Sequence, residues 1–286
     1  MANLGMFLWV LWENDCPSTS HDCEGGAFLH RFAFERRKAN PLLGPRMSTL
    51  VRMGAKSVHL MVNNAEIWRL VSAMYLHAGV VHVVLNMMSV VAQATRLEQD
   101  FGAPRVAAVW IISGTFSMMC SGLMMPHQIT VGASGGACGL LGCSLAELLL
   151  NWGQYQSAWK SLTITVICIL IQLLIGLAPY VDNVTHSSAI VIGFFVGLVL
   201  FIKRRYLQER LVSGPDQGQV RMCLQPTAEW QWLLVFISIP IVTCMYLAVL
   251  ILMFSQTDVK SVCPDCYAVD CAPLLNLWEC EDTDQL

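Results

Sequence analysis

Charged residues are scarce in this chain of 286 residues, because only 13% are Asp, Glu, Lys or Arg, against about 25% in a typical soluble domain. The formal net charge of -3 is also too small to indicate a nucleic-acid partner. Hydrophobic residues, in contrast, make up 55% of the sequence. This composition excludes an ordinary soluble domain and is typical of a membrane protein.

Long hydrophobic runs account for this composition. A helix that crosses a membrane needs about 20 apolar residues. Runs of about that length predict an all-α polytopic membrane protein with spans at about 76–95, 104–125, 134–151, 161–179, 185–202 and 230–254. A further apolar stretch at 1–15 is too short to span, and predicts either a short anchor or a partial, apparently truncated first transmembrane helix.

Basic residues near the ends of the spans predict the orientation of the chain. The basic run from Lys203 to Arg221 is expected in the cytosol. It either fixes the orientation, which is the simpler interpretation, or contacts anionic membrane lipid. The predicted organisation is a partial first helix (1–15), a luminal or interfacial loop (16–75), a membrane core (76–202), a cytosolic basic loop (203–229), an extra transmembrane helix (230–254) and a Cys-rich luminal tail (255–286).

Half of the twelve cysteines lie on the predicted luminal side. They are Cys16, Cys23, Cys263, Cys266, Cys271 and Cys280. An even set in an oxidising lumen favours disulfides, whose connectivity stays open. The run "CPDCYAVDC" also has the C-x-x-C spacing of zinc sites, but we favour disulfides and expect no metal. Luminal cysteines further predict a protein of the secretory pathway.

Polar side chains inside predicted spans suggest a functional site. Ser134 lies 17 residues before Asn151, and His186 lies 17 residues before Lys203, where both spans reach the cytosolic side. At about 1.5 Å per residue, both side chains lie about 25 Å above that boundary, just below the luminal surface. A lone histidine in a span is more often a packing residue, but the matched depth predicts that His186 activates Ser134 as a general base.

Small residues on these two spans predict that the helices approach closely. Spacings of three and four residues place them along one face of each helix. One face carries Gly135, Gly139, Gly142 and Ala146, and the other carries Ala189, Gly193 and Gly197. Faces of this kind allow membrane helices to contact each other through their backbones.

A second polar face lies on the predicted span 76–95. His82 and Asn86 are separated by one helical turn, and their side chains could stabilise a developing oxyanion. The backbone amide of Ser134, at the start of a helix, would add a further donor. Asp182 precedes His186 by one turn, but we interpret it as a loop cap, so that the site is a Ser–His dyad without a third member.

These features occur in a characteristic order, H-x4-H-x3-N, then G-A-S-G, then a histidine at matched depth. In "EIWRLVSAMYLHAGVVHVVLNM", "VGASGGACGLLG" and "VDNVTH" the chain resembles the rhomboid family of intramembrane serine proteases. The segment "ENDCP" and the terminal "CPDCYAVDC" resemble the plant branch of its secretase-type members. The resemblance extends from about Cys16 to the C-terminus.

The resemblance implies a rhomboid-type six-helix bundle core plus one extra C-terminal transmembrane helix. It also implies cleavage of single-span membrane proteins near the luminal face, without cofactor or metal, in the Golgi membrane. Ser134 and His186 would be catalytic, and His82, Asn86 and the Ser134 backbone amide would form the oxyanion hole. Gly132 and Gly135 would flank the nucleophile.

Two departures from the family pattern predict reduced activity. The family usually has a pair of glycines after the catalytic histidine, where this chain has Ser188 and Ala189 after His186. The residue one turn after the nucleophile is often aromatic and stacks on the histidine, but here it is Cys138. These departures support an alternative function, an inactive relative that binds membrane clients and controls their trafficking. A transporter is a third alternative, although the sequence lacks the internal repeat that such folds often show. The oligomeric state stays open.

Overall fold

The computed structural model describes residues 2–20, 22–178, 181–202, 206–211, 219–224 and 229–257, with the backbone alone for 206–211 and 219–224. Four of the predicted disulfide cysteines, Cys263, Cys266, Cys271 and Cys280, lie outside these residues. The architecture of the described residues is a helical membrane bundle, as predicted.

Short helices precede the bundle. They are α1 (Ala2–Asn14), α2 (Cys16–Thr19), α3 (Gly26–Leu29), α4 (Met47–Met53), α5 (Val58–Asn63) and α6 (Arg69–Ser72). Turns of 3₁₀ helix occupy His30–Phe32, Ala73–Tyr75 and Trp152–Gln154. Within this region Cys16 and Cys23 form a disulfide, which closes the short loop after α1.

The long helices follow. They are α7 (Val80–Phe101), α8 (Ala103–Met124), α9 (Ser134–Leu150), α10 (Ala158–Gly176), α11 (Asn183–Leu200) and α12 (Glu229–Phe254). All except α9 are long and apolar enough to cross a membrane, and α9 is an apolar helix of 17 residues. The chain is therefore a multi-pass membrane protein.

The first predicted span differs from the observed helix at both ends. We predicted a span at 76–95, but α7 begins at Val80 and continues to Phe101. The chain is extended at Leu76 and at Gly79, and between them the His77 side chain is completely buried. Packing of this segment against the rest of the protein therefore prevents the helix from starting earlier.

The predicted basic loop 203–229 contains regular structure. Strand β1 (Tyr206–Leu211) pairs antiparallel with β2 (Gln219–Leu224), and Tyr206 lies opposite Leu224. This two-stranded hairpin connects α11 to α12 in the sequence. We predicted this segment only as a basic loop, and the hairpin is an addition to the all-α membrane bundle.

Helix α9 lies at the centre of the bundle, in contact with α7, α8, α10 and α11. Its small residues allow this position, because a side chain on Gly136 would collide with Trp110 of α8 and one on Gly139 would collide with Ser113. Most of α9 is therefore buried. The first residue of this central helix is Ser134.

Candidate active site

Helices α9 and α11 touch through their backbones. A Cβ placed on Gly193 would lie 2.1 Å from the carbonyl oxygen of Gly139, and one on Gly142 would lie 2.1 Å from the carbonyl oxygen of Ile190. One turn further, a Cβ on Gly197 would lie 2.9 Å from the Cα of Cys143. Any side chain at these positions would force the helices apart.

Ala189 lies next to this contact, one residue before Ile190. Its side chain is fully buried, and its carbonyl oxygen would lie 3.6 Å from a Cβ on Gly139, which is an ordinary van der Waals distance. The contacts of Gly142 with Ile190 and of Gly193 with Gly139 are equally tight, so Ala189 lies between two of the tightest points of the interface.

The turn before α9 brings His82 close to Ser134. Gly132 has φ +133°, a region that favours glycine, and its amide donates to the carbonyl of Ala73 at 2.9 Å. A Cβ placed on Gly132 would lie 2.9 Å from Nε2 of His82 and 3.8 Å from Oγ of Ser134. The imidazole and the serine hydroxyl therefore border the same small space, which only glycine leaves open.

His186 lies in the first turn of α11, which packs against the start of α9. The Asp182 side chain caps α11 by accepting a hydrogen bond from the amide of Thr185 at 2.8 Å. The Thr185 methyl would lie 3.1 Å from a Cβ on Gly135. The residue before His186 thus packs against the residue after Ser134, and His186 itself is buried.

Hydrogen-bond partners define the tautomer of each histidine. Nδ1 of His186 lies 3.3 Å from the carbonyl oxygen of Gln172 on α10. A carbonyl only accepts, so Nδ1 carries the proton and Nε2 of the neutral ring is a base. Nδ1 of His82 accepts from the amide of Ala78 at 3.3 Å, so its neutral ring carries the proton on Nε2. Nε2 of His186 can therefore accept a proton, whereas Nε2–H of His82 can donate a hydrogen bond.

Gln172 connects α10 to three other helices around the site. Besides the contact with His186, its side-chain amide donates to Oγ of Ser89 on α7 at 3.4 Å and to Sγ of Cys138 on α9 at 3.7 Å. Cys138 is one turn after Ser134, where the family often has an aromatic residue. A polar contact from Gln172 reaches this position instead.

No hydrogen bond joins the Ser134 hydroxyl to the His186 ring, although both residues are described. Rotation about χ1 of Ser134 moves its Oγ between staggered positions. Hydrogen bonds between catalytic groups are often long in the absence of substrate and tighten when it binds.

Asn86 lies one turn below His82 and is buried. Its Nδ2 donates to the carbonyl oxygen of His82 at 3.0 Å, which leaves its second N–H available. Its Oδ1 is buried without a partner among the described atoms. His77 contacts the His82 ring edge-on, with centroids 5.3 Å apart, so it supports the ring rather than entering the site.

Two supports of the site were not predicted from the sequence. One is Gln172, a lone polar residue in an apolar run. Polar residues inside a membrane span often mark a functional site, so this position could have been found from the sequence. The other is the loop before α4, where a Cβ on Gly44 would lie 1.9 Å from the carbonyl oxygen of Ala78 and Asn40 donates to that oxygen at 2.7 Å. This loop fixes the start of α7 and hence His82.

The described residues hold no group of three or more His, Cys, Asp or Glu side chains that could bind a metal ion. The polar groups around Ser134 are instead imidazoles, amides and backbone N–H groups. This set suits the stabilisation of negative charge by hydrogen bonds. It fits acyl transfer through a serine nucleophile.

Comparisons with known proteins agree with this geometry. Residues 64–203 match the family model described as the rhomboid domain. The chain is 37% identical to RHOMBOID-like protein 1 of Arabidopsis thaliana, over 98% of this chain and 72% of that protein. It is 36% identical to RHOMBOID-like protein 6, mitochondrial, of the same plant, over 98% and 91% of the two chains.

A third similar protein has a name that calls it inactive. The chain is 30% identical to Inactive RHOMBOID-like protein 8 of Arabidopsis thaliana, over 99% of this chain and 81% of that protein. Similarity over nearly the whole chain therefore extends to a relative whose name calls it inactive. The matched domain contains the helices that carry the candidate site, and the chain belongs to the rhomboid family.

Proposed function

We propose that the protein is an intramembrane serine protease that uses Ser134 as nucleophile and His186 as general base. The observation that carries this proposal is the opposite pattern of Nδ1 contacts at His186 and His82, on helices that pack against the helix of Ser134. Nε2 of His186 is a free base because Nδ1 donates to Gln172, and Nε2–H of His82 borders the Ser134 hydroxyl.

The reaction follows from these roles. Nε2 of His186 takes the proton of the Ser134 hydroxyl while Oγ attacks the scissile carbonyl carbon, and the imidazolium keeps its Nδ1–H on the Gln172 carbonyl. Negative charge then develops on the carbonyl oxygen, where Nε2–H of His82, the Ser134 amide and Asn86 would donate. His186 next gives its proton to the departing amine, and water attacks the acyl-enzyme with His186 again as base.

A fluorophosphonate probe tests this proposal in detergent-solubilised protein. Attack of Ser134 Oγ on phosphorus would displace fluoride and leave the serine labelled, so we expect labelling of the wild type. Ser134→Ala should abolish it, and His186→Ala should lower it strongly because no base remains. Ser144→Ala removes another hydroxyl of α9, one that donates to the Leu140 carbonyl, and should label normally. Unchanged labelling of Ser134→Ala would contradict the proposal.

We further propose that the substrates are single-span membrane proteins, cut near the luminal face of a secretory-pathway membrane such as the Golgi. The Cys16–Cys23 disulfide supports an oxidising compartment next to α1. A co-expressed reporter with a span rich in small, helix-destabilising residues should be cleaved by wild type and not by Ser134→Ala. Co-localisation of a tagged chain with mitochondrial markers, as the name of one relative suggests for that protein, would contradict the compartment.

The second candidate is an inactive family member that binds membrane clients. Two observations favour it, the aliphatic thiol Cys138 in place of an aromatic ring and the similarity to a protein named inactive. Wild type that binds a single-span client in pull-down experiments, yet never labels with the fluorophosphonate and never cleaves the reporter, would support this candidate instead.

A further inference from the structure

A completely buried lysine lies outside the proposed dyad. Lys56, in the segment between α4 and α5, has no exposed surface, and burying a charge is costly unless it is paired. Its Nζ donates to Oγ of Ser121 on α8 at 2.7 Å and to the Met125 carbonyl at 3.4 Å. Its backbone amide donates to the Thr130 carbonyl at 3.0 Å.

The same hydroxyl of Ser121 links this lysine to a buried carboxylate. It donates to Oδ2 of Asp182, and the Thr130 hydroxyl donates to the same oxygen at 2.9 Å. The other oxygen of Asp182 accepts from the Thr185 amide. One continuous polar network therefore joins the loop before α5, helix α8, the turn before α9 and the start of α11.

Both ends of this network lie next to the proposed dyad. Thr130 precedes Ser134 by one short turn of chain, and Asp182 caps the helical turn that carries His186, whose amide donates to the Asp182 carbonyl at 3.3 Å. A shift of either element would change the separation between the serine and the imidazole. A misplacement of about 1 Å can lower an enzymatic rate by about a hundredfold.

We propose that Lys56, Ser121, Thr130 and Asp182 form a charged clamp that sets the distance between Ser134 and His186. Its members are positioning residues, since they act through the two groups that react. The inference rests on the proposed hydrolase function. It differs from a purely structural role, because it requires that loss of the clamp slows acylation in molecules that remain folded.

A matched control lies at the other end of α9. Arg96 of α7 pairs with Glu147 at 3.0 Å, and Glu147 is almost completely buried. Glu147 follows Ser134 by 13 residues, or about 20 Å along the helix. Arg96→Gln therefore removes the ion-pair partner of a buried carboxylate on α9 without touching the start of α9 or α11.

Fluorophosphonate labelling kinetics separate positioning from folding. For each variant we would measure the limiting acylation rate, the half-saturating probe concentration and the thermal unfolding midpoint, with rates scaled to the folded fraction. Asp182→Ala should lower the limiting rate about tenfold to hundredfold without changing half-saturation. Asp182→Asn should recover only part of that rate, because asparagine keeps the helix cap but removes the negative charge that Lys56 reaches through Ser121. Arg96→Gln should lower the unfolding midpoint and leave the limiting rate unchanged.

A single and a double variant test the role of Lys56. Lys56→Met leaves the buried Asp182 carboxylate without the positive charge that it reaches through the Ser121 hydroxyl, and should slow acylation or prevent folding. The double variant Lys56→Met with Asp182→Asn removes both charges, and should fold and label faster than Lys56→Met alone. Equal acylation rates for wild type, Asp182→Ala and the double variant would overturn the clamp. A wild type that never labels would instead contradict the proposed function, and the clamp with it.

Discussion

Helices α11 and α12 are both long and apolar, yet they occupy opposite environments. In the most apolar 18-residue stretch of each helix, 56% of α11 is buried in the protein but only 11% of α12. The more apolar helix is thus the more exposed one, and α10 behaves in the same way as α12. Inside a membrane, packing of small and polar residues, rather than hydrophobicity, distinguishes the interior of a bundle from its lipid-facing side.

Glycines of α11 and large exposed side chains of α12 account for this difference. Gly193 and Gly197 let α11 contact the backbone of α9, and the polar side chains of Asp182 and His186 are satisfied there. Side chains of α12 such as Phe236 and Ile251 are instead largely exposed. We therefore expect substitutions on the side of α11 that packs against α9 to be poorly tolerated, and substitutions on the exposed side of α12 to be well tolerated.

The largest expected effect comes from filling the contact between α9 and α11. Gly193→Leu would place a side chain 2.1 Å from the Gly139 carbonyl, and overpacking of this kind costs about 1–3 kcal/mol or more. We expect a large drop in the unfolding midpoint and an acylation rate lower by at least about a hundredfold. Val191→Leu, on the exposed side of the same helix, should resemble wild type. Equal unfolding midpoints and equal acylation rates in the two variants would contradict the difference between the inner and outer faces of α11.

The next effect concerns the oxyanion donor. His82→Ala removes the Nε2–H that borders Ser134, and loss of one such donor typically costs about 10²–10³-fold in rate. We therefore expect slow labelling of the folded molecules, with a modest loss in the unfolding midpoint because the Ala78 amide loses its acceptor. Met88→Ala changes a lipid-facing side chain of the same helix and serves as control. Labelling of His82→Ala at the wild-type rate would remove His82 from the oxyanion hole.

A smaller effect is expected at Ala189. We expect the buried methyl of Ala189 to fit between the tight contacts of α9 and α11, so Ala189→Gly should not relieve a clash. Instead, the extra backbone freedom of glycine should destabilise α11 by about 0.5–1 kcal/mol. The acylation rate should stay within about tenfold of wild type, or about 1.4 kcal/mol. An increase of the rate well beyond that range would show that the alanine holds the helices apart.

The smallest effect is expected on the lipid-facing side. Leu247→Ala trims a half-exposed side chain of α12 that contacts lipid in place of protein, so the unfolding midpoint should hardly change. Leu140→Ala removes a buried side chain of α9, and such truncations typically cost about 2–5 kcal/mol. Thermal unfolding of the two variants in one detergent provides the measurement. Similar losses in both would mean that α12 is packed against protein.

The sequence predicted those features that depend on local pattern. Hydrophobic run lengths indicated the spans, and glycine spacing indicated the faces of α9 and α11. It did not predict the start of α7, because that depends on the packing of Gly44 and Asn40 against Ala78, more than 30 residues away. It also missed Lys56, whose partner Ser121 is 65 residues distant. Contacts between distant segments leave no periodic signal in a single sequence.

The Ser–His dyad is tested most directly by peptide mapping, by mass spectrometry, of protein treated with the fluorophosphonate. We predict one dominant adduct on the hydroxyl of Ser134 in wild type, and its near disappearance in His186→Ala. An adduct on another serine, or an adduct at Ser134 that forms equally well without His186, would contradict the proposed dyad.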